Sequence, residues 1–208
     1  MTTPEHTLVG ILGGFSIGLH TRFGWTAIAF AAIISNVPDL DGLPILIDMQ
    51  GFEVGHRVWG HNLLAIAVST LLIAAFQYRF HWIERCAEKL KPVLPKDSQE
   101  LERTGATRPG FLSLCLIGVA FQCVHLICDM TVSGGHGLSD WLVRPFWPFE
   151  DSGFVFPLIP WGDVGPTVIM MLAVIGIAKF GNASRIAIFA LTLLCIYMLC
   201  RGYARRAW

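Results

Sequence analysis

The chain has 208 residues, 54% of them hydrophobic and only 14% charged, with 15 basic side chains balanced by 15 acidic ones and a mean hydropathy of +0.59. So little charge leaves the surface of a water-soluble domain uncovered, and with a formal net charge of zero nothing suggests a nucleic-acid surface. The composition implies an integral membrane protein, with the bilayer itself as its main partner.

Pro4, Glu5 and His6 stand where a cleavable signal would carry its basic region, so the first helix is expected to stay in place. The apolar stretch Leu8 to Ser35 exceeds the roughly 20 residues that cross a hydrocarbon slab. It is interrupted at His20, Thr21 and Arg22, which predicts a hairpin of two short glycine-rich helices. The connection "SNVPDLDGLPILIDMQGFEVGHRVWGHN", 35 to 62, follows. In it "PDLD" has the composition of a turn and helix cap, and "HRVWGH" that of an interfacial anchor.

Four apolar runs come next: Leu63 to Phe80, Phe111 to Ile127, Pro166 to Phe180 and Ile186 to Cys200. Lipid-exposed backbone must satisfy its own hydrogen bonds, which favours helices. The expected fold is an all-α polytopic membrane helical bundle, four full spans plus an N-terminal pair of short helices, in a single domain over 1–208. The 79 to 109 connection carries Arg79, Arg85, Lys89, Lys91, Lys96, Arg103 and Arg108, whereas the 128 to 165 loop has Arg144 as its one basic residue. The positive-inside tendency then places the first connection in the cytoplasm and the second outside. The tail "RGYARRAW" runs against that bias. Segment 81 to 91, "HWIERCAEKLK", reads as an amphipathic helix for the interface or a solvated loop helix. The 6 cysteines form no close pair of the zinc-binding kind and read as small buried hydrophobes. Trp141, Trp147 and Trp161 read as an interfacial aromatic belt.

His125 and Asp129 are four apart, so a helix projects them from one face as ligands for one cation or two adjacent ones. Span parity puts the 35 to 62 loop and the end of the 111 to 127 span on the same side of the membrane, whichever way the chain is inserted. His6 joins them if the N-terminal pair is a hairpin. The gathered set is His6, Asp39, Asp41, His56, His61, His125 and Asp129, a mixture of imidazole and carboxylate that suits zinc, manganese or iron, as one or two ions. Around it, His136 is a candidate further ligand or loop residue. Ser133, Gly134 and Gly135 offer backbone near the site, and Arg57 and Arg144 are candidate anion binders. His20 and His81 are set aside, and a haem lacks partner histidines on another span.

In this order, "HTLVG" at 6–10, "SNVPDLDGLP" at 35–44, "HRVWGHNL" at 56–63, "HLICDMTVSGG" at 125–135 and "PFWP" at 145–148 resemble the YdjM-like inner-membrane proteins. That family is described as metal-dependent hydrolases and as LexA-binding. The resemblance implies a bacterial inner-membrane location and a metal-dependent hydrolase with its ligands at the seven positions above. A more distant similarity in ligand order, to the zinc-dependent phospholipase C and nuclease superfamily, favours phosphoester cleavage, though a later His-x-x-x-Glu pair is missing here.

The expected function is therefore hydrolysis of a phosphoester or ester in a membrane lipid or lipid-linked substrate by a metal-activated water. Asp39 or Asp41 would bridge ions or act as general base, and Arg57 would clamp a phosphate oxygen. The alternatives are metal transport, disfavoured by the apolar mid-span positions, and a structural or regulatory protein tied together by its metal.

Overall fold

The computed structural model describes residues 1–48, 55–90, 107–135 and 140–206. Helix α1 spans Thr3–Ser16 and begins ahead of the apolar run, because the backbone N–H of Thr2 donates to Glu5 Oε2 at 2.8 Å and Pro4 occupies the first turn. His6 is thereby inside a helix. Its 14 residues rise about 21 Å, short of a hydrocarbon core of about 30 Å. At Gly18 (φ 74°) and Gly24 (φ 73°) the backbone enters the left-handed region that glycine tolerates, and the short α2, Leu19–Phe23, turns the chain into α3, Trp25–Ile34. The predicted hairpin is present. Its helices touch so closely that a Cβ on Gly10 would lie 2.7 Å from the Ala31 carbonyl oxygen.

A bend of 54° separates α3 from a 3-10 helix, Pro38–Leu46, which carries Asp39 and Asp41. Helix α4, Leu63–Phe80, starts where Asn62 Oδ1 accepts from the Ala65 N–H at 2.8 Å. His81, at φ 49°, turns the chain into α5, Trp82–Leu90. Helix α6, Phe111–Thr131, continues one turn past the apolar run, so His125 and Asp129 are both helical. Helices α7, Val164–Phe180, and α8, Ala183–Arg206, complete the order. Among the described residues there is no strand, and isolated β-bridges join Val132 to Ile159 and Val143 to Phe154. Helices α4, α6 and α8 are long and apolar enough to cross a membrane, α7 is shorter, and the bent pair of α3 and the 3-10 helix passes only as one broken span.

Helix α1 lies between two cores. On one side Leu12 packs with Met170, Ala173, Ala187 and Ala190 of α7 and α8. On the other, Phe30 and Ile34 of α3 pack with Ala74, Leu114, Ile117 and Phe121 of α4 and α6. Small residues let the backbones approach, as membrane helix packing requires. Between α4 and α6, Gln122 Nε2 donates to Thr70 Oγ1 at 2.7 Å and Gln122 Oε1 accepts from Ser69 at 3.0 Å. The outer faces stay apolar, with Leu72, Leu116, Phe189 and Leu199 all exposed to the surroundings. The cysteines differ from expectation: Cys86, Cys195 and Cys200 are exposed and the other three only half-buried. A thiol is small and apolar enough to sit on a lipid-facing surface, so hydropathy does not separate core from lipid.

Hydrogen bonds settle which ends lie together. Thr107 N–H donates to the Arg22 carbonyl at 3.2 Å, which joins the basic connection to the hairpin turn. Ser184 Oγ donates to the Phe15 carbonyl at 2.9 Å, bringing the α7–α8 turn to that same end. At the opposite end the loop after α6 satisfies the last carbonyls of that helix: Phe156 N–H donates to Met130 O at 2.8 Å and Leu158 N–H to Thr131 O at 2.9 Å. The arginines of the tail sit there too. Arg201 pairs with Asp163 at 3.0 Å, and Arg205 donates to the Ser133 carbonyl at 3.0 Å, so both have local partners that explain their place against the charge bias.

Candidate metal centre

Three separate elements deliver the polar side chains to the end of the bundle that holds the start of α1 and the end of α6. Helix α1 brings His6, the 3-10 helix brings Asp39, and α6 brings His125 and Asp129. One ligand atom from each of these four lies within 4.8 Å of every other, close to the roughly 3–4 Å between donors on a single dication of about 2.1 Å bond length. The His6 and His125 rings stack, with centroids 3.6 Å apart. Three of the four are buried, and Asp39 keeps 14% of its side chain exposed.

His61, from the loop before α4, stands against this group. Its Nε2 is 3.0 Å from His125 Nε2, 3.3 Å from Asp129 Oδ2 and 3.7 Å from Asp39 Oδ1. Its Nδ1 is 2.9 Å from Asp41 Oδ2. His125 Nδ1–H donates to the Ser35 carbonyl at 2.7 Å, which leaves the His125 Nε2 with only its lone pair. With Asp41 accepting from His61 Nδ1–H, the His61 Nε2 faces the His125 lone pair, and either a proton on His61 or a cation between the two rings fills the gap. The residues therefore fit a metal ion. A second sign is His6 Nδ1, which is buried with no hydrogen-bond partner. Burial by itself would push the His61 pKa down, but hydrogen bonds to Asp129 and Asp41, together with their charges, hold it up at about 9.

Asp129 is the charge hub. Its Oδ1 meets His6 Nε2 at 3.0 Å and forms an ion pair with the Met1 ammonium, while its Oδ2 lies 3.2 Å from Arg57 Nε. Two expectations change here. Asp41 does not face the four-ligand group: Oδ1 pairs with His56 Nδ1 at 3.1 Å, and Oδ2 takes the Gly60 N–H at 2.9 Å besides His61. It is a carboxylate that orients His61, in the way carboxylates commonly orient metal-ligating histidines. His56 is held at its far side and stands outside the four-ligand group.

Arg57 also differs from the phosphate-clamp expectation. Its backbone is left-handed (φ 62°), and its guanidinium is buried, donating to the Asp129 carbonyl at 3.0 Å and reaching the carbonyls of Trp141 and Val132 at 3.4 and 3.5 Å. It closes the C-terminal end of α6 and has no donor turned to solvent. Trp141 lies under it, 5.2 Å from ring centroid to guanidinium carbon, and so belongs to the site's support as well as to any aromatic belt.

The "SGG" turn is closed, not open to a head group. Ser133 is fully buried, and its Oγ accepts from the Trp141 N–H at 2.8 Å. Gly134, at φ 64°, has no room for a Cβ beside Asp140. Arg144 lies 3.9 Å from Asp151 at the exposed rim, and His136 falls outside the described residues. His20 sits in α2 at the other end.

Sequence patterns miss the backbone partners, Ser35 O and Gly60 N–H, because any residue supplies them. They also miss Thr3, whose hydroxyl donates to Asp39 Oδ2 at 3.1 Å. Its place one turn before His6 on α1 is the one available signal.

No curated protein and no solved structure matches the chain. The profile of the family described as YdjM inner membrane protein matches residues 1–208, the whole length over which the spans and the cluster are distributed. With apolar helices of spanning length and this full-length match, the chain belongs to the YdjM inner membrane protein family, as an integral membrane protein.

Proposed function

We propose that the protein is a metal-dependent hydrolase of the membrane, cleaving a phosphoester or ester in a lipid or lipid-linked substrate. One observation carries the reading: His6, Asp39, His125 and Asp129, whose ligand atoms all lie within 4.8 Å of one another with His61 Nε2 3.0 Å from His125 Nε2, form a donor set that suits a dication such as zinc, manganese or iron. A bound dication supplies an activated water near neutral pH and electrostatic stabilisation of the charge that develops on the substrate oxygen. Asp39 is the carboxylate at the open side of the cluster, where it would hold the ion with His6, His125 and Asp129 and face an incoming substrate. Asp41 holds His61 in the tautomer that leaves Nε2 free. Arg57 and the Met1 ammonium lie against Asp129 and offset its charge.

The basic residues Arg22, Arg79, Arg85, Lys89, Arg108, Lys179 and Arg185 gather at the end away from the cluster. This bias supports an extracytoplasmic site at head-group level. A second reading, in which the metal ties loops together without catalysis, is favoured by the near-complete burial of His6, His125 and Asp129, because closed sites are the structural kind.

Elemental analysis of purified protein beside His125→Ala and Asp129→Ala tests the centre, with metal expected in the wild type and lost from both variants. Metal-free wild type that stays folded ends the reading. A screen of lipid phosphoesters and the soluble diester bis(p-nitrophenyl) phosphate then separates the two roles: activity abolished by Asp39→Ala supports hydrolysis, and bound metal without turnover supports the structural role.

A further inference from the structure

A groove of about 890 Å³ runs beside the cluster, within the size range of about 300–1,000 Å³ usual for ligand sites. Its walls are apolar: Ile33 at the end of α3, Leu40 of the 3-10 helix, and Leu72, Ile73 and Phe76 of α4, with Trp82 of α5 completing them. Polar side chains occur among its lining only at Thr3, Thr7 and Asn36. Thr3 is the link to the chemistry, because its hydroxyl donates to Asp39 Oδ2, the one partly exposed carboxylate of the four-ligand group. Leu40 is next to Asp39 in sequence and lines the groove as well.

We propose that this groove holds an acyl chain of a membrane lipid, with that lipid's head group at Asp39. The occupant follows from where the groove is. Helix α4 is long and apolar enough to span a bilayer, and Leu72 and Phe76 are exposed on it, so the medium at the groove is hydrocarbon. Water in an apolar cavity of this kind lacks the two to four polar partners it needs, whereas an acyl chain matches the walls along their length. The polarity runs the right way too, since an amphiphile with its tail against Phe76 and Ile73 brings its head toward Thr3, Thr7 and Asn36. The chemistry at the head group rests on the hydrolytic reading above; occupation of the groove by the tail does not.

The test uses full-length protein in detergent micelles carrying a trace of phosphatidylglycerol with a diazirine on one acyl chain. After photolysis, peptides are mapped by mass spectrometry. Label is expected on the segments holding Ile33 to Leu40 and Leu72 to Phe76, in excess over the outer face of α8 at Phe189 and Leu199. Leu72→Trp, at an exposed position that tolerates bulk, fills the groove. The filled groove forfeits the tail's packing contacts, and groove labelling is expected to fall severalfold. Ile73→Trp serves as a second filler, and Phe189→Trp leaves the groove label unchanged.

Label spread evenly over α4 and α8, or unaffected by both fillers while metal content is retained, overturns the proposal. Bis(p-nitrophenyl) phosphate has no acyl chain and reports hydrolysis separately. Groove labelling without any turnover leaves this inference standing and removes the hydrolase, and turnover with an unlabelled groove does the reverse.

Discussion

His61 Nε2 and His125 Nε2 face each other at 3.0 Å, and each ring has its other nitrogen engaged: His61 Nδ1 by Asp41 at 2.9 Å and His125 Nδ1 by the Ser35 carbonyl at 2.7 Å. Without a metal a proton must occupy the gap; with one, that proton leaves. Replacing Asp41 by Asn offers His61 Nδ1 an N–H donor as readily as an acceptor, which drives the imidazole proton to Nε2 and blocks ligation. Asp41→Asn is expected to retain the fold and weaken metal affinity by about 10- to 100-fold, the usual range for losing a carboxylate behind a ligating histidine. Competition against a chelator of known affinity measures it, and unchanged affinity would show that Asp41 does not set the tautomer.

Arg57 supports the end of α6 and the charge of Asp129. Arg57→Ala removes the partner of a buried carboxylate, a change that typically costs about 3–5 kcal/mol. The expected result is a large fall in thermal midpoint together with loss of metal. Arg57→Lys should recover little, because an ammonium cannot reach several carbonyls with one planar fork. A variant with wild-type melting and a selective fall in kcat/KM would instead assign Arg57 to substrate binding.

Gly60 couples the histidine loop to the 3-10 helix. A Cβ there would stand 2.1 Å from the Pro38 carbonyl oxygen, backbone that cannot rotate away. Gly60→Ala must push Pro38–Leu46 outward and displace Asp39 and Asp41 with it. Overpacking of this kind costs about 1–3 kcal/mol, and metal occupancy is expected to drop further than stability does. Gly110→Ala, with nothing within 4 Å of its Cβ, is the matched control. Equal metal content in both proteins would sink the coupling.

Asp163 caps α7, accepting from Gly165 N–H at 2.9 Å and Tyr197 Oη–H at 2.7 Å, and pairs with Arg201. Burial raises its pKa, but these hydrogen bonds and the guanidinium outweigh burial and hold it below the ordinary carboxylate value. A folded pKa below the unfolded one means the contribution is complete above the unfolded pKa and is lost as pH falls toward the folded one. Thermal midpoints measured between neutral and acidic pH should fall more steeply for the wild type than for Asp163→Asn. Parallel curves would show that the cap carries no pH-linked stability.

The hairpin, the four apolar runs and the parity of their ends were legible in the sequence because hydropathy and chain interruption are local properties, set by the solvent each segment meets. The i, i+4 spacing of His125 and Asp129 was equally local: a helix places such a pair on one face. So the convergence of the metal-capable residues at one end followed from counting spans. Their division of labour did not. His61, Asp41 and Arg57 all lie in the one connection 35 to 62, yet His61 aims at the cluster, Asp41 orients His61, and Arg57 closes α6.

The composition of this chain pointed to a bilayer, and the order of its apolar runs and polar breaks pointed to helices with imidazoles and carboxylates collected at a single end. The tertiary structure alone decided that His6, Asp39, His125 and Asp129 form the inner group while Asp41 and Arg57 support it. The reason is that those roles depend on contacts between distant segments, such as His125 with Ser35 and Arg57 with the end of α6, and on backbone groups that every residue type shares.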